Sequence, residues 1–332
     1  MLSKDAELGV DILSDMVLNP RLDGKEVEKE KGVVIEEINM YKDIPAQHVH
    51  EILTEMLWPG QPLGFPLAGS VGSVNALTRK DIVAYKDAHY NPANMLLAGA
   101  GRIKEEDLID LSKKYLSKAS SADAPGFEDV RRLQNSPNLI LNFKETEQTH
   151  MALGFHAPDR FSPDRYALSI LNIILGANMS SRLFHIVRDE MALCYEISSS
   201  TRKYYDTGAL VVSAGLEERK LKNALEVIFA QLGKMKKEPV QDDELERAKE
   251  FYKGQLLFTM EDTMSLMLWH GEKVAAGEKE LDAKKIMKNV EAVAKDDIMR
   301  VASGVLKDDN LNLAVIGPVR DEKGLKGALH VS

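Results

Sequence analysis

The chain is 332 residues long, 44% apolar, 29% charged and 6% aromatic; at roughly 100–200 residues per domain that is about two globular domains, with disorder excluded as the main state. Its 43 Lys and Arg against 52 Asp and Glu leave a formal net charge of -9, which excludes the basic footprint needed to grip a nucleic-acid backbone. The single cysteine, Cys194, can form no internal disulfide and complete no thiolate zinc site.

In chain order, Leu8, Ile12 and Met16 recur every four residues, which predicts a helix over 5–19 that Pro20 stops. A charged helix follows over 24–42, with a narrow stripe of Val27, Val34, Ile38 and Tyr41, and a third helix over 46–57. The stretch 59–73 reads as a loop, because Pro59, Gly60, Pro62, Gly64, Pro66, Gly69 and Gly72 fill it; they also rule out the uncharged run Met56–Thr78 as a membrane span. Thr78, with Asp81 three residues on, forms a capping-box pattern for a helix reaching about Tyr90. Residues 94–100 read as a buried strand and 104–117 as another helix. The N-terminus shows no apolar signal region, so a cytoplasmic location is expected if Met1 is the true start.

The small, polar stretch Ser117–Gly126 is the natural linker. Beyond it, strands at about 138–145 and 148–156 are expected to form a hairpin around Glu145–Gln148. Helices over 163–176 and 181–191 come next, then strands over 194–203 and 207–215 joined by a turn at 204–208. Long helices occupy 218–306, a closing strand 311–317, and a short helix 321–328. The expected division is a partial first domain over 1–118, a linker over 119–130 and a complete second domain over 131–332. The first part looks incomplete because its one strand has no partner for its backbone groups. The fold class is α/β (α+β), with mixed and antiparallel sheets flanked by helices.

Chemistry-bearing residues are sparse. Glu30 and Glu37, seven apart, share one helix face and stand about 10 Å apart. A helix-borne carboxylate can ligate a metal and a second can support it, but the same pattern is also an ordinary solvated face. The eight histidines form neither H-E-x-x-H nor H-x-x-E-H, and His48 and His50, two apart, should face away from each other at the surface. Arg188, at a helix end, and Tyr195, at a strand start, could each donate to a peptide carbonyl or an oxyanion; as plain structure they read as a helix C-cap and a half-buried sheet tyrosine. No Gly-rich phosphate loop and no G-x-S-x-G elbow occurs.

Several blocks nevertheless agree in order: Val33-Val-Ile-Glu-Glu-Ile-Asn-Met-Tyr41, Pro62-Leu-Gly-Phe-Pro-Leu-Ala-Gly69, Thr78-Arg-Lys-Asp81, His89-Tyr-Asn-Pro-Ala-Asn-Met95, Ser180-Ser-Arg-Leu-Phe184 and Arg188 to Tyr195. Over about residues 5–318 the sequence resembles the M16 zinc metallopeptidases, the insulinase, pitrilysin and mitochondrial-processing-peptidase family. The resemblance implies two domains of similar fold forming half of a closing clamshell. It also implies an H-x-x-E-H motif that supplies two zinc ligands and a general base, with a third ligand, a glutamate, on a later helix. An Arg and a Tyr seven apart in the second domain would help hold a peptide added as a strand to a sheet edge. On that resemblance Glu37 falls on the third zinc ligand, Glu30 on a supporting acidic position, and Arg188 and Tyr195 on the Arg/Tyr pair.

The sequence departs from the pattern at its start. Only 36 residues precede Glu37, and the H-x-x-E-H segment is not among them, so the first domain is expected to be truncated. One carboxylate cannot hold a catalytic zinc, and the general base is missing. The chain is therefore expected to be part of a zinc metalloendopeptidase that is inactive alone and does not itself bind zinc. The alternative is a non-catalytic peptide-binding or scaffold subunit working with a catalytic partner. Expected partners are a peptide or unfolded polypeptide and a second M16 chain, either a homodimer mate or a partner subunit, with no nucleic acid and no membrane segment. The acidic charge suits basic peptides.

Overall fold

The computed structural model describes residues 2–117, 123 and 125–331; most of the expected linker, 118–122 and 124, lies outside the described residues. The chain divides into two compact units that interleave in sequence. One comprises Met1–Ile38, Ala68–Glu128 and Gln255–Asp282, the other Asn39–Leu67, Asp129–Gly254 and Ala283–Ser332.

The second unit is built on a five-stranded sheet of order β1-β5-β2-β4-β3. Its strands are β1 Asn138–Phe143, β2 Thr149–Ala157, β3 Glu196–Lys203, β4 Gly208–Leu216 and β5 Leu311–Gly317. β1 runs parallel to β5 and the other pairs are antiparallel. The expected β1–β2 hairpin does not form, because β5 inserts between them and pairs with both. Sequence proximity favours neighbouring strands only as a tendency, and here the apolar closing strand, buried along its whole length, takes the interior position between β1 and β2.

One sheet face is covered by α7 Arg165–Leu175, α8 Leu221–Lys237 and α12 Lys295–Val305. Every residue of α7 from Ala167 to Leu175 is buried, the mark of a helix surrounded by protein rather than lying at a surface. α11 Ala283–Glu291 and α13 Glu322–Ala328 complete this layer through Val290 and Leu325. The opposite face carries α3 Pro45–Leu57, started by Pro45 with its preset φ. Val49, Leu53, Met56 and Leu57 fall on one face of α3 and pack, with Trp58, on Ala152, Ala209, Val211, Ala314 and Ile316. Small sheet residues let the helix sit close: a Cβ on Gly154 would lie 2.9 Å from a Leu53 methyl. Complete burial of Leu53 and Trp58 stabilises this contact by roughly 2–3 kcal/mol each. His50 rides on the same stripe, so the expectation that it lies at the surface fails: it is half-buried, and Arg202 Nη2 donates to its Nδ1 at 3.4 Å. His48 is also half-buried, 3.1 Å from Glu51.

The first unit is helical. It contains α1 Ala6–Leu18, most of α2 Gly24–Asp43, α4 Val71–Ala76, α5 Arg79–His89, α6 Glu105–Leu116, the end of α9 Asp242–Glu261, and α10 Thr263–Ala275. The Thr78 signal is realised: Thr78 Oγ1 accepts from Asp81 N–H at 3.3 Å, and Asp81 accepts from Thr78 N–H at 2.8 Å. A second capping box, Ser70 with Ser73, starts α4 inside the expected loop. α1 is tied to α6 where Glu7 accepts from Lys114 at 2.6 Å and from Tyr115 at 3.1 Å. Lys86 donates to Leu18 O at 3.1 Å, satisfying a carbonyl at the C-terminus of α1.

The helix predicted from Leu8, Ile12 and Met16 forms as α1, with those three residues 50–66% exposed, and one expectation fails in this unit. Residues 95–100 are not a strand. Met95 is extended and Gly99 lies against Leu108, but the described residues of this unit include no β-strand to pair with it, and one extended segment cannot satisfy its backbone groups in a ladder.

Candidate functional site

Glu30 and Glu37 lie on α2, both exposed. Two helical turns separate them, as the spacing requires. Among the described residues, no group of three or more His, Cys, Asp or Glu side chains is placed to hold a metal. A catalytic zinc takes three protein ligands and an open position, so the donor set around Glu37 does not fit one.

Arg188 and Tyr195 sit in a more unusual setting. Where the sequence predicts an ordinary helix over 181–191, Phe184–Glu190 is a π-helix. π segments are short, rare and concentrated at functional positions. Arg188, half-buried, holds its guanidinium 4.5 Å from the centroid of the Phe184 ring, a cation–π contact that fixes its direction. The chain then reverses sharply. Met191 N–H donates to Ile186 O at 3.1 Å and Leu193 N–H to Val187 O at 2.9 Å. Ala192 between them has φ 50, left-handed for a residue with a Cβ and so maintained at a cost. Lys220 braces the reversal by donating to Ala192 O at 3.1 Å.

Tyr195 emerges from this turn 54% exposed, with its N–H on Gly215 O at 2.9 Å. It immediately precedes β3, an outer strand of the sheet. Burial pushes the adjacent Cys194 thiol up to about 11, and the Arg188 charge opposes that rise. Cys194 is therefore a packed, protonated thiol and not a nucleophile, and Arg188 lies within electrostatic reach of the residue before Tyr195. The structure thus brings the carried-over Arg and Tyr to the two ends of one strained reversal, each able to donate to a carbonyl oxygen. The spacing of seven was visible in sequence; the π-helix and the left-handed Ala192 were not.

The region 76–252 matches the model of the Peptidase M16 inactive domain, and residues 1–71 match that of Insulinase (Peptidase family M16). The uncharacterized zinc protease YmxG of Bacillus subtilis is 31% identical over 318 residues, covering 96% of this chain and 77% of its own length. An uncharacterized zinc protease of Streptomyces coelicolor is 29% identical over 329 residues, covering 97% of this chain and 72% of its own. Among solved structures, a protease from Helicobacter pylori superimposes with a TM-score of 0.85 at 18% identity, over 95% of this chain and 77% of that one. A peptidase M16 inactive domain from Pseudomonas fluorescens gives 0.85 at 19%, over 96% and 76%. At such identities the two structures show the shared fold.

Proposed function

Because the chain belongs to the M16 peptidase family, we propose that it supplies the peptide-holding part of an M16-type zinc metalloendopeptidase and does not cleave peptides by itself. Arg188 and Tyr195 grip the backbone of an extended substrate, Glu37 stands at the third zinc-ligand position, and Glu30 supports it. The observation that carries this reading is the strained reversal between the π-helix and β3, which aims a guanidinium and an exposed phenol from one end of an outer strand. Outer strands accept extended peptides by backbone pairing, with side chains supplying selectivity. Donors of this kind orient a bound carbonyl and stabilise charge developing on its oxygen. No His ligand pair accompanies Glu37 among the described residues, so no hydrolytic step is assigned to this chain.

A second reading, a non-catalytic subunit that binds peptide beside a catalytic partner, is supported by the absence among the described residues of a donor set that could hold a metal. Both readings use Arg188 and Tyr195 in the same way. Metal analysis and a peptidase assay with and without chelator test the shared claim. Well under one zinc per chain and no chelator-sensitive turnover are expected; one equivalent of zinc with turnover overturns it. Fluorescence anisotropy with an unstructured labelled peptide tests the grip: Tyr195→Phe and Arg188→Gln should each weaken binding several-fold, and unchanged affinity in both refutes the substrate role.

A further inference from the structure

On the α3 side of the sheet, His150 of β2 and Glu196 of β3 both stand opposite Gly215 of β4. The row reads imidazole, no side chain, carboxylate. Two side-chain oxygens take the place of a Gly215 side chain: a Cβ there would lie 3.1 Å from Gln148 Oε1 and 3.2 Å from Glu196 Oε1. Ser198 and Ser213 form the next pair on the same face, with their hydroxyls 3.3 Å apart. His50 of α3 closes the top. Together these side chains line a cavity of about 200 Å³.

The hydrogen-bonding state of each group follows from its neighbours. A guanidinium can only donate, so the Arg202 contact makes His50 Nδ1 an acceptor and puts the ring proton on Nε2. Burial and the Arg202 charge hold His50 below the usual histidine range; burial does the same to His150, against the pull of Glu196. Both imidazoles are uncharged near neutral pH. Among the described residues Glu196 has no hydrogen-bond or ion-pair partner. The Cα of Arg202 is six residues further along β3, about 20 Å at the rise of a strand, and its guanidinium is engaged by Thr54 and His50. The cavity therefore offers one unpaired carboxylate, two neutral rings and two hydroxyls, in a chain of net charge -9.

We propose that this cavity recognises a basic side chain, lysine or arginine, of a bound peptide. The cationic head meets Glu196 over Gly215, and His50 Nε2–H donates to a peptide carbonyl. The inference rests on the peptide-binding reading above and adds a selectivity that this reading lacks. Glu196 lies on β3, an outer strand of the sheet, so a peptide paired along that strand passes the cavity.

The test uses the whole chain with two small probes, N-acetyl-lysine methylamide and its norleucine counterpart, followed through the imidazole Cε1–H resonances of His50 and His150. The lysine probe should shift them saturably and the norleucine probe should not. Glu196→Gln, a change at an exposed position, should weaken lysine-probe binding at least fivefold, and Gly215→Ala, which narrows the floor, should do so as well. Equal response to both probes, or an unaltered lysine preference in Glu196→Gln, overturns the proposal. Unstructured peptides separate it from the broader reading. Peptide binding that depends on Arg188 and Tyr195 but ignores lysine refutes the cavity alone. A lysine probe bound through Glu196, with no binding of longer peptides, refutes the grip alone.

Discussion

Acidification from pH 7 to pH 5 is expected to remove about 2 kcal/mol of stability through His156 alone. This histidine is 2% exposed, its Nδ1 has no hydrogen-bond partner, and its ring meets Trp58 edge-on with centroids 6.1 Å apart. Burial, with a smaller push from the Arg132 charge, lowers its pKa from 6.5 to about 4. The folded value lies below the unfolded one, so between them the unfolded chain binds the extra proton. The contribution is full above pH 6.5 and is lost as pH falls toward 4. At about 1.36 kcal/mol per pH unit, the loss is roughly 2 kcal/mol by pH 5 and about 3 kcal/mol by pH 4. His50 and His150 are shifted the same way, so the wild-type slope is steeper than one residue supplies, and a variant isolates the share of His156. His156→Phe keeps an aromatic ring beside Trp58 and should stay within about 1.5 kcal/mol of wild type at pH 7. Urea midpoints at pH 7, 6 and 5 should then show the variant gaining steadily on wild type. Parallel curves across that range would refute the assignment.

Further outcomes follow from packing and capping. Gly154→Val pushes atoms into fully buried Leu53 and should cost about 1–3 kcal/mol in urea denaturation. Thr78→Ala removes the side-chain acceptor for Asp81 N–H, so amide exchange at the start of α5 should speed up by a factor consistent with about 1 kcal/mol. Arg182 makes two 2.7 Å bonds to Glu244, with side chains only 15% and 16% exposed. Arg182→Ala should therefore cost about 2 kcal/mol, while replacing both partners by Met and Leu should recover most of the loss.

The legible parts of the fold were those set by local chemistry. The Thr78–Asp81 box, the helix expected over 46–57, and the apolar runs of β2, β4 and β5 all stand where their sequence signals place them. Features decided at long range were not legible. Nothing near 138–157 says that a strand 160 residues later will divide β1 from β2, and the apolar run at 94–100 says nothing about whether a neighbour exists to make it a strand. The burial of His50 is not legible because its angle from His48 does not reveal which of the two faces the sheet. At the site, the seven-residue spacing of Arg188 and Tyr195 and the exposed carboxylates of α2 were readable. The cavity over Gly215 was not, because its residues come from three strands and a helix scattered through the chain.

The π-helix turns the placement of Arg188 into a question of phase. Its hydrogen bonds reach five residues back instead of four, so the segment carries slack that a regular helix lacks. Deleting a single residue between Phe184 and Arg188 would let the turn relax to the regular repeat, with the later side chains close to their present phase, because the wide turn holds the one residue that is lost. The same deletion in a regular helix would swing every later side chain by about 100°. The count of residues leading up to Arg188 is therefore buffered here, and the placement of the grip rests on the identities of Arg188 and Tyr195.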